Sequence, residues 1–167
     1  MCIRDSHNPK LFEAAWISSP LLNPMLQAKP WMKIALPFVA PLFPSATVST
    51  GVSSSDCSHM LDRGETEKDQ ALFHSRISIG WGRDLLHAAE EVRENLTNMA
   101  LEKPILFTQG DSDSICPIQI LEDQLKILSS NQISFKKIKE ARHEPFCGST
   151  REDFLRYLNH WINQKLG

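Results

Sequence analysis

The last third of the chain alternates between strand-like and helix-like apolar patterns, and this alternation restricts the fold more than any other feature. A buried-type strand, "ILFTQ" at 105–109, is followed by a helical stripe at 117–130. "ISFKKIKE" at 133–140 alternates as a strand does, and a second amphipathic helix is predicted at 149–167. This order predicts parallel strands joined by a right-handed crossover, and therefore an α/β fold.

Ionisable residues follow both predicted strands. Asp111 and Asp113 lie after the first strand, and His143 lies after the second. Neighbouring parallel strands are about 4.8 Å apart and end at the same edge of the sheet, so these loops are expected side by side. A carboxylate bonded to one imidazole nitrogen lets the other nitrogen take a proton from a nucleophile. Two alternatives stay open: an Asp that caps a loop or helix, and a solvated His.

Helix starts carry their own signals. Pro117 suits the first turn of one helix, and Ser149 stands three residues before Glu152, the spacing of a capping box. Asn95 begins an Asn-Leu-Thr glycosylation acceptor, which we interpret as a helix end.

Bulk properties exclude several classes of partner. The net charge is −2 and no Lys/Arg block is present, so nucleic acid is not an expected partner. The four cysteines have neither metal-ligand spacing nor the density of a disulfide framework, which predicts no metal and a cytoplasmic location. The longest apolar stretch, 31–43, contains Pro37 and Pro41, which argue against a spanning helix but leave peripheral contact with a membrane open.

Three segments together resemble the C-terminal part of α/β-hydrolases of the monoacylglycerol lipase, lysophospholipase and serine aminopeptidase branch: "ILFTQGDSDSICP", "RHE" and the closing helix. The family pattern Gly-x-x-Asp-x-Ile/Val-x-Pro is matched by Gly110, Asp113, Ile115 and Pro117. The resemblance implies that Asp113 is the acid of a catalytic triad, that His143 is its base, and that no cofactor is needed.

The resemblance also implies a domain layout. "WISSPLLNP" at 16–24 is similar to the sixth strand of that fold, and "DQALFHSRIS" at 69–78 is similar to part of its cap, with Gln70 where the family has proline. We therefore expect a core strand in 7–20, a mostly helical cap in 21–98 and the C-terminal core in 99–167. The expected architecture is three parallel strands with flanking helices plus this cap. "MCIRDS" at 1–6 resembles sequencing-adapter read-through and is interpreted as a non-native leader.

The family's nucleophile is a serine in a G-x-S-x-G elbow that precedes the acid in the chain. "GVSSS" at 51–55 places Ser53 correctly, but a serine replaces the second glycine and neither a strand nor a helix is predicted beside it, so we interpret it as a polar cap loop. Ser18 and Ser19 are predicted to end a strand, and Cys116 and Cys147 are interpreted as incidental thiols. We expect the nucleophile to precede this chain and the chain to be an inactive C-terminal fragment.

The function implied by the resemblance is hydrolysis of a carboxylic ester, that of a lysophospholipid or a monoacylglycerol, beneath a mobile cap. Two alternatives remain. One keeps the fold but makes the parent an aminopeptidase or another α/β-hydrolase, such as a haloperoxidase-like member. The other is a non-catalytic binding module. The sequence does not indicate an oligomeric state.

Overall fold

The computed structural model describes residues 12–23, 30–58, 74–98, 103–128 and 130–167. The interpreted leader at 1–6 and the first five residues of the cap-like segment at 69–78 lie outside these residues. The regular elements, in chain order, are β1 (Ala15–Ser18), α1 (Pro30–Leu42), β2 (Thr47–Ser49), α2 (Ser54–Cys57), β3 (Arg76–Ser78), α3 (Ile79–Asn98), β4 (Ile105–Gly110), α4 (Ile118–Ile127), β5 (Ile133–Ile138) and α5 (Arg151–Leu166).

A three-stranded parallel sheet of order β1-β4-β5 lies at the centre of the described chain. Ile105 of β4 is opposite Ala15 of β1 and Ile133 of β5, and both pairings are parallel. Helix α4 makes the crossover between β4 and β5. The predicted strand, helix, strand, helix order is therefore confirmed.

Strand β4 is buried along its whole length, because helices cover both faces of the sheet. On one face, Ile105 and Phe107 pack with Leu96 of α3 and Leu121 of α4. Alternate residues of a strand point to opposite faces, and on the other face Trp16 of β1 and Ile138 of β5 pack against Phe154 of α5. Trp161 donates its indole N–H to the Ser134 hydroxyl at 3.0 Å. Helices on both faces of a parallel sheet confirm the α/β class.

The region between β1 and β4 contributes no strand to the parallel sheet in its described part. Helices α1 and α3 pack against each other there, as expected for a mostly helical insertion. The structure adds one unpredicted feature, an antiparallel pair of β2 and β3 in which Val48 is opposite Ile77. Residues 51–53 form a loop, as predicted, but the expectation that neither a strand nor a helix lies beside 51–55 was wrong, since β2 ends at Ser49 and the one-turn helix α2 begins at Ser54.

Two predicted helix starts differ in the structure. Pro117 lies just before α4, with a ψ of 126° that is outside the helical region. The capping box at Ser149 was wrong, because residues 148–150 form a 3-10 turn that runs directly into α5. Ser149 therefore lacks the extended conformation of a capping residue. Asn95 does lie near the end of α3, as predicted.

None of the helices in the described part of the chain combines the length and the apolar content that crossing a membrane requires.

Candidate active site

The structure brings Asp113 and His143 into direct contact at the carboxyl edge of the sheet. Asp113 lies in the Asp loop, residues 111–117, and His143 lies in the His loop, residues 139–147. Their contact joins His143 Nδ1 to Asp113 Oδ2 at 3.0 Å. The Asp113 side chain is 0% exposed, whereas the imidazole is 27% exposed. One end of this pair is therefore sealed from water and the other is accessible.

Backbone amides hold the buried carboxylate in place. Asp113 Oδ1 accepts hydrogen bonds from the amides of Ile115 at 2.9 Å and Cys116 at 2.8 Å. Burying a carboxylate is costly unless donors replace its water, and hydrogen bonds to a charged acceptor are stronger than neutral ones. The tight turn after Asp113 thus both orients the carboxylate and compensates for its burial.

Gln109 completes this environment, and our reading of the sequence overlooked it. Its amide nitrogen donates to Asp113 Oδ2 at 3.3 Å and also to the carbonyl of Cys116. The residue is 1% exposed, at the end of β4. The sequence signal that could have identified Gln109 is a glutamine within an apolar strand, shortly before an acidic loop.

The Asp loop and the His loop touch through backbone at Gly110. A Cβ at this position would lie 2.5 Å from the carbonyl carbon of Ala141 and closer still to the carbonyl oxygens of Ala141 and Arg142. The amide of Ser112 donates to the Ala141 carbonyl at 3.0 Å. Only glycine permits this approach, so Gly110 fixes the distance between the two loops.

Asp111 has a different role from Asp113. Its Oδ1 accepts the amide of Glu140 at 2.8 Å, where the chain has a positive φ of 62°. Asp111 therefore stabilises the first turn of the His loop by a hydrogen bond. This is the loop-capping role that the sequence left open for an Asp at this place.

Ser19 supports the His loop from the end of β1. Its hydroxyl donates to the carbonyl of His143 at 2.6 Å, and its amide donates to the Thr108 carbonyl at 2.9 Å. Ser19 is 6% exposed and has a φ of 45°, a conformation that non-glycine residues rarely adopt. The sequence assigned Ser19 only to a strand end.

Helix α2 of the insertion contacts both loops. The guanidinium of Arg142 donates to the Ser55 carbonyl, and the amide of Glu144 donates to the Cys57 carbonyl at 2.9 Å. The Ser114 hydroxyl donates to Asp56 at 3.1 Å. The insertion is thereby tied to the backbone on either side of His143 and to the residue after Asp113.

The pKa of Asp56 is lowered, mainly by the hydrogen bond from the Ser53 hydroxyl and then by that from the Ser53 amide. These bonds favour the ionised carboxylate, which is the form that accepts from both Ser53 and Ser114.

Ser53 and Ser19, two of the serines weighed as nucleophiles, are engaged elsewhere, whereas the hydroxyl of Ser18 is buried and has no hydrogen-bond partner among the described residues. Ser53 donates to Asp56 at 2.6 Å and contacts Ser55, while Ser19 bonds to the His143 carbonyl. Ser112 belongs to a second G-x-S near match, "GDSDS", that our sequence reasoning missed, and its hydroxyl donates to Asp111 at 3.1 Å. In the part of the chain that the structure describes, none of these four hydroxyls bonds to the imidazole.

Cys116 lies beside the pair, and Asp113, Cys116 and His143 place one potential metal ligand each within 4.8 Å of one another. Burial, followed by the charge of Asp113, raises the pKa of the Cys116 thiol from 9.0 to about 12. Metal ligation and nucleophilic attack both need the thiolate. A protonated thiol and a carboxylate already engaged by amides suit an acid–base pair better than a metal site.

Comparison with known sequences connects this site to a family. The family model described as serine aminopeptidase, S33, matches residues 3–149. Phospholipase YtpA of Bacillus subtilis is 22% identical over 162 residues, which are 97% of this chain and 62% of that protein. An abhydrolase domain-containing protein of Dictyostelium discoideum is 22% identical over 152 residues, 90% of this chain and 16% of that protein.

Solved structures share the fold. A monoacylglycerol lipase of Paleococcus ferrophilus has a TM-score of 0.80 at 21% identity, covering 96% of this chain and 62% of that one. A second structure is a soluble variant of the Saccharomyces cerevisiae monoglyceride lipase in complex with a substrate analog. It has a TM-score of 0.74 at 16% identity, covering 98% of this chain and 58% of that one. The chain thus spans about three fifths of the length of YtpA and of these lipases. It belongs to the serine aminopeptidase S33 family of α/β-hydrolases.

Proposed function

We propose that Asp113 and His143 are the acid and the base of a serine-hydrolase triad that cleaves carboxylic esters. The observation that carries this proposal is the 3.0 Å contact between His143 Nδ1 and a fully buried carboxylate. A buried acid that holds one imidazole nitrogen, with the ring partly exposed, is the arrangement that a general base requires.

In the proposed mechanism, Asp113 accepts a hydrogen bond from the Nδ1–H group of His143 and thereby fixes the tautomer of the imidazole. The other imidazole nitrogen removes the proton from a serine hydroxyl as its oxygen attacks the ester carbonyl. The imidazolium, stabilised by Asp113, then protonates the leaving alcohol. Water repeats the sequence on the acyl-enzyme and releases the carboxylic acid. We propose that this serine belongs to a part of the parent protein that precedes the present chain, and that the chain alone is inactive.

We further propose that residues 21–98 form a cap, with 7–20 and 99–167 as parts of the hydrolase core and 1–6 as a foreign leader. The origin of the three parallel strands supports this division, since β1 comes from the first core segment while β4 and β5 come from the second. The contacts of α2 with both loops are what a cap that sits over the site would make.

The proposed substrate is a single-chain lipid ester, either a lysophospholipid or a monoacylglycerol. The names of the relatives, a phospholipase and two lipases, support this choice. A second candidate is an aminopeptidase, which the description of the matched family favours. A binding module without turnover is the third.

Helix α1 supports contact with a membrane surface. Trp31, Ile34, Phe38 and Leu42 recur at helical spacing, and all four are more than 60% exposed. An apolar helix face with aromatic residues suits the interface of a bilayer. We propose that this face touches lipid, and that the protein is cytoplasmic because its few, widely spaced cysteines do not form a disulfide pattern.

The test begins with the source DNA upstream of this chain, expressed in frame with it. Hydrolysis of a lipid ester is expected to exceed hydrolysis of an aminoacyl anilide, and Asp113→Asn is expected to lower kcat by roughly 10⁴-fold. His143→Asn should abolish turnover. The matched controls are Asp153→Asn and His160→Asn on the exposed side of α5, which should change kcat less than twofold. An Asp113→Asn enzyme with near-normal kcat would exclude the triad, and faster anilide cleavage would favour the aminopeptidase.

A further inference from the structure

A cavity of about 460 Å³ lies between α1, α3 and the segment that follows β1. This volume is within the range of roughly 300–1,000 Å³ typical of small-molecule sites. Leu22, Leu36 and Leu86 supply part of an apolar lining. Leu22 and Asn23 follow the carboxyl end of β1 and also lie beside Cys116 and Pro117, so this part of the cavity is close to the Asp loop.

Half of the polar residues that line the cavity are cationic. Lys33, Arg83 and Arg93 line it, with Glu90 as the only carboxylate among the lining residues in the described chain. Arg83 is already paired with Asp84 at 2.8 Å. Lys33 and Arg93 form no ion pair with any residue that the structure describes.

Arg93 is the residue that points to a ligand. Its Nε atom is buried and has no hydrogen-bond partner among the described residues. A buried N–H of a charged group without an acceptor is destabilising, and such groups are almost always satisfied in native proteins. Arg93 lines the cavity, and guanidinium groups bind phosphate in a bidentate geometry, so an anion in the cavity would give Arg93 an acceptor that the described residues do not provide.

We propose that this cavity binds the phosphate of a lysophospholipid at Arg93 and Lys33, with the acyl chain against Leu22, Leu36 and Leu86. The inference rests on the proposed lipid-esterase function, within which it selects a phosphate-bearing substrate over a neutral monoacylglycerol. The apolar side accommodates one chain, and the two unpaired cations neutralise one phosphate.

Binding to the present chain tests the proposal without any turnover. Calorimetry with decanoyl lysophosphatidic acid, decanoyl glycerol and inorganic phosphate separates the lipid from the anion. We expect the phosphate-bearing lipid to bind at least tenfold more tightly than either of the others. Equal affinity for decanoyl glycerol would overturn the phosphate assignment, and equal affinity for inorganic phosphate would overturn the lipid assignment.

Arg93→Met should weaken binding of decanoyl lysophosphatidic acid by roughly 10- to 100-fold, the range for one lost charge-assisted hydrogen bond. Lys33→Met should weaken it less, and Arg93→Lys should restore part of the affinity. Arg156→Met on α5 is the matched control and should leave the dissociation constant unchanged. Circular dichroism shows whether each variant is folded, and unchanged binding by folded Arg93→Met would overturn the proposal. Because catalysis is not measured, failure here is distinct from failure of the triad in the parent enzyme.

Discussion

Replacing Gly110 with alanine would force the Asp loop and the His loop apart. The new Cβ would lie 2.5 Å from the carbonyl carbon of Ala141, whereas ordinary van der Waals contact begins at 3.4 Å. The backbone before His143 would have to move by at least 0.9 Å, the difference between these distances. The obstacle is a peptide group, which cannot turn aside as a flexible side chain can.

This displacement is large compared with the contact it would disturb. His143 Nδ1 lies 3.0 Å from Asp113 Oδ2, and an added 0.9 Å along that direction would break the hydrogen bond. Overpacking of this kind destabilises a protein by about 1–3 kcal/mol. In the parent enzyme, misplacing a catalytic group by about 1 Å is expected to lower kcat by roughly 100-fold.

Nuclear magnetic resonance of the imidazole protons, with urea unfolding in parallel, can detect this change in the present chain. Wild type should show a slowly exchanging Nδ1 proton from His143, and Gly110→Ala should lose it while remaining folded. Gly82→Ala is the matched control, because its Cβ would be 3.4 Å from the nearest atom, the Ile77 Cδ1. A folded Gly110→Ala variant that keeps the wild-type His143 signal would refute this account of the loop contact.

Three further predictions concern residues around the pair. Ser19→Ala should lower the free energy of unfolding, measured in urea, by about 1–3 kcal/mol, because the His143 carbonyl loses its donor at 2.6 Å. Ser19→Gly should lower it by less, because glycine adopts the positive φ at this position without strain. The lowered pKa of Asp56 means that its ionised carboxylate stabilises the fold above pH 3.8, and this stabilisation is lost as the pH falls through the folded-state pKa. The urea midpoint of Asp56→Asn should therefore fall less steeply than that of wild type as the pH is lowered. The raised pKa of Cys116 means that the protonated thiol stabilises the fold fully below pH 9.0, and this contribution is lost between pH 9.0 and about pH 12. The urea midpoint of Cys116→Ala should therefore fall less steeply than that of wild type as the pH rises. Native Cys116 should also resist iodoacetamide at neutral pH, because the thiolate is the reactive form.

The C-terminal elements could be predicted because their patterns are local. Strand β4 is a short apolar run, and the stripe on α5 that includes Phe154 and Trp161 repeats with the helical period. The proximity of Asp113 and His143 followed from one general rule, that a strand joined by a helix to the next strand runs parallel to it. Both inferences needed only neighbouring residues and the handedness of the crossover.

The unpredicted features depend on contacts between distant residues. Strands β2 and β3 have three residues each, too few for a recognisable alternation, and they form only because they pair with each other. The Ser19 hydroxyl reaches the carbonyl of a residue 124 positions away. The contacts of α2 with Arg142 and Glu144 likewise require the fold to be complete. Spacing along the chain carries no signal for any of them.

Covalent trapping of the nucleophile in the parent enzyme tests the assignment of Asp113 and His143 to a serine-hydrolase triad. A fluorophosphonate should label one serine in a G-x-S-x-G sequence outside the present chain, and mass spectrometry of the labelled peptide would identify it. His143→Asn should abolish this label, and His160→Asn should not. A label on Ser53, or one that persists without His143, would contradict the triad assignment.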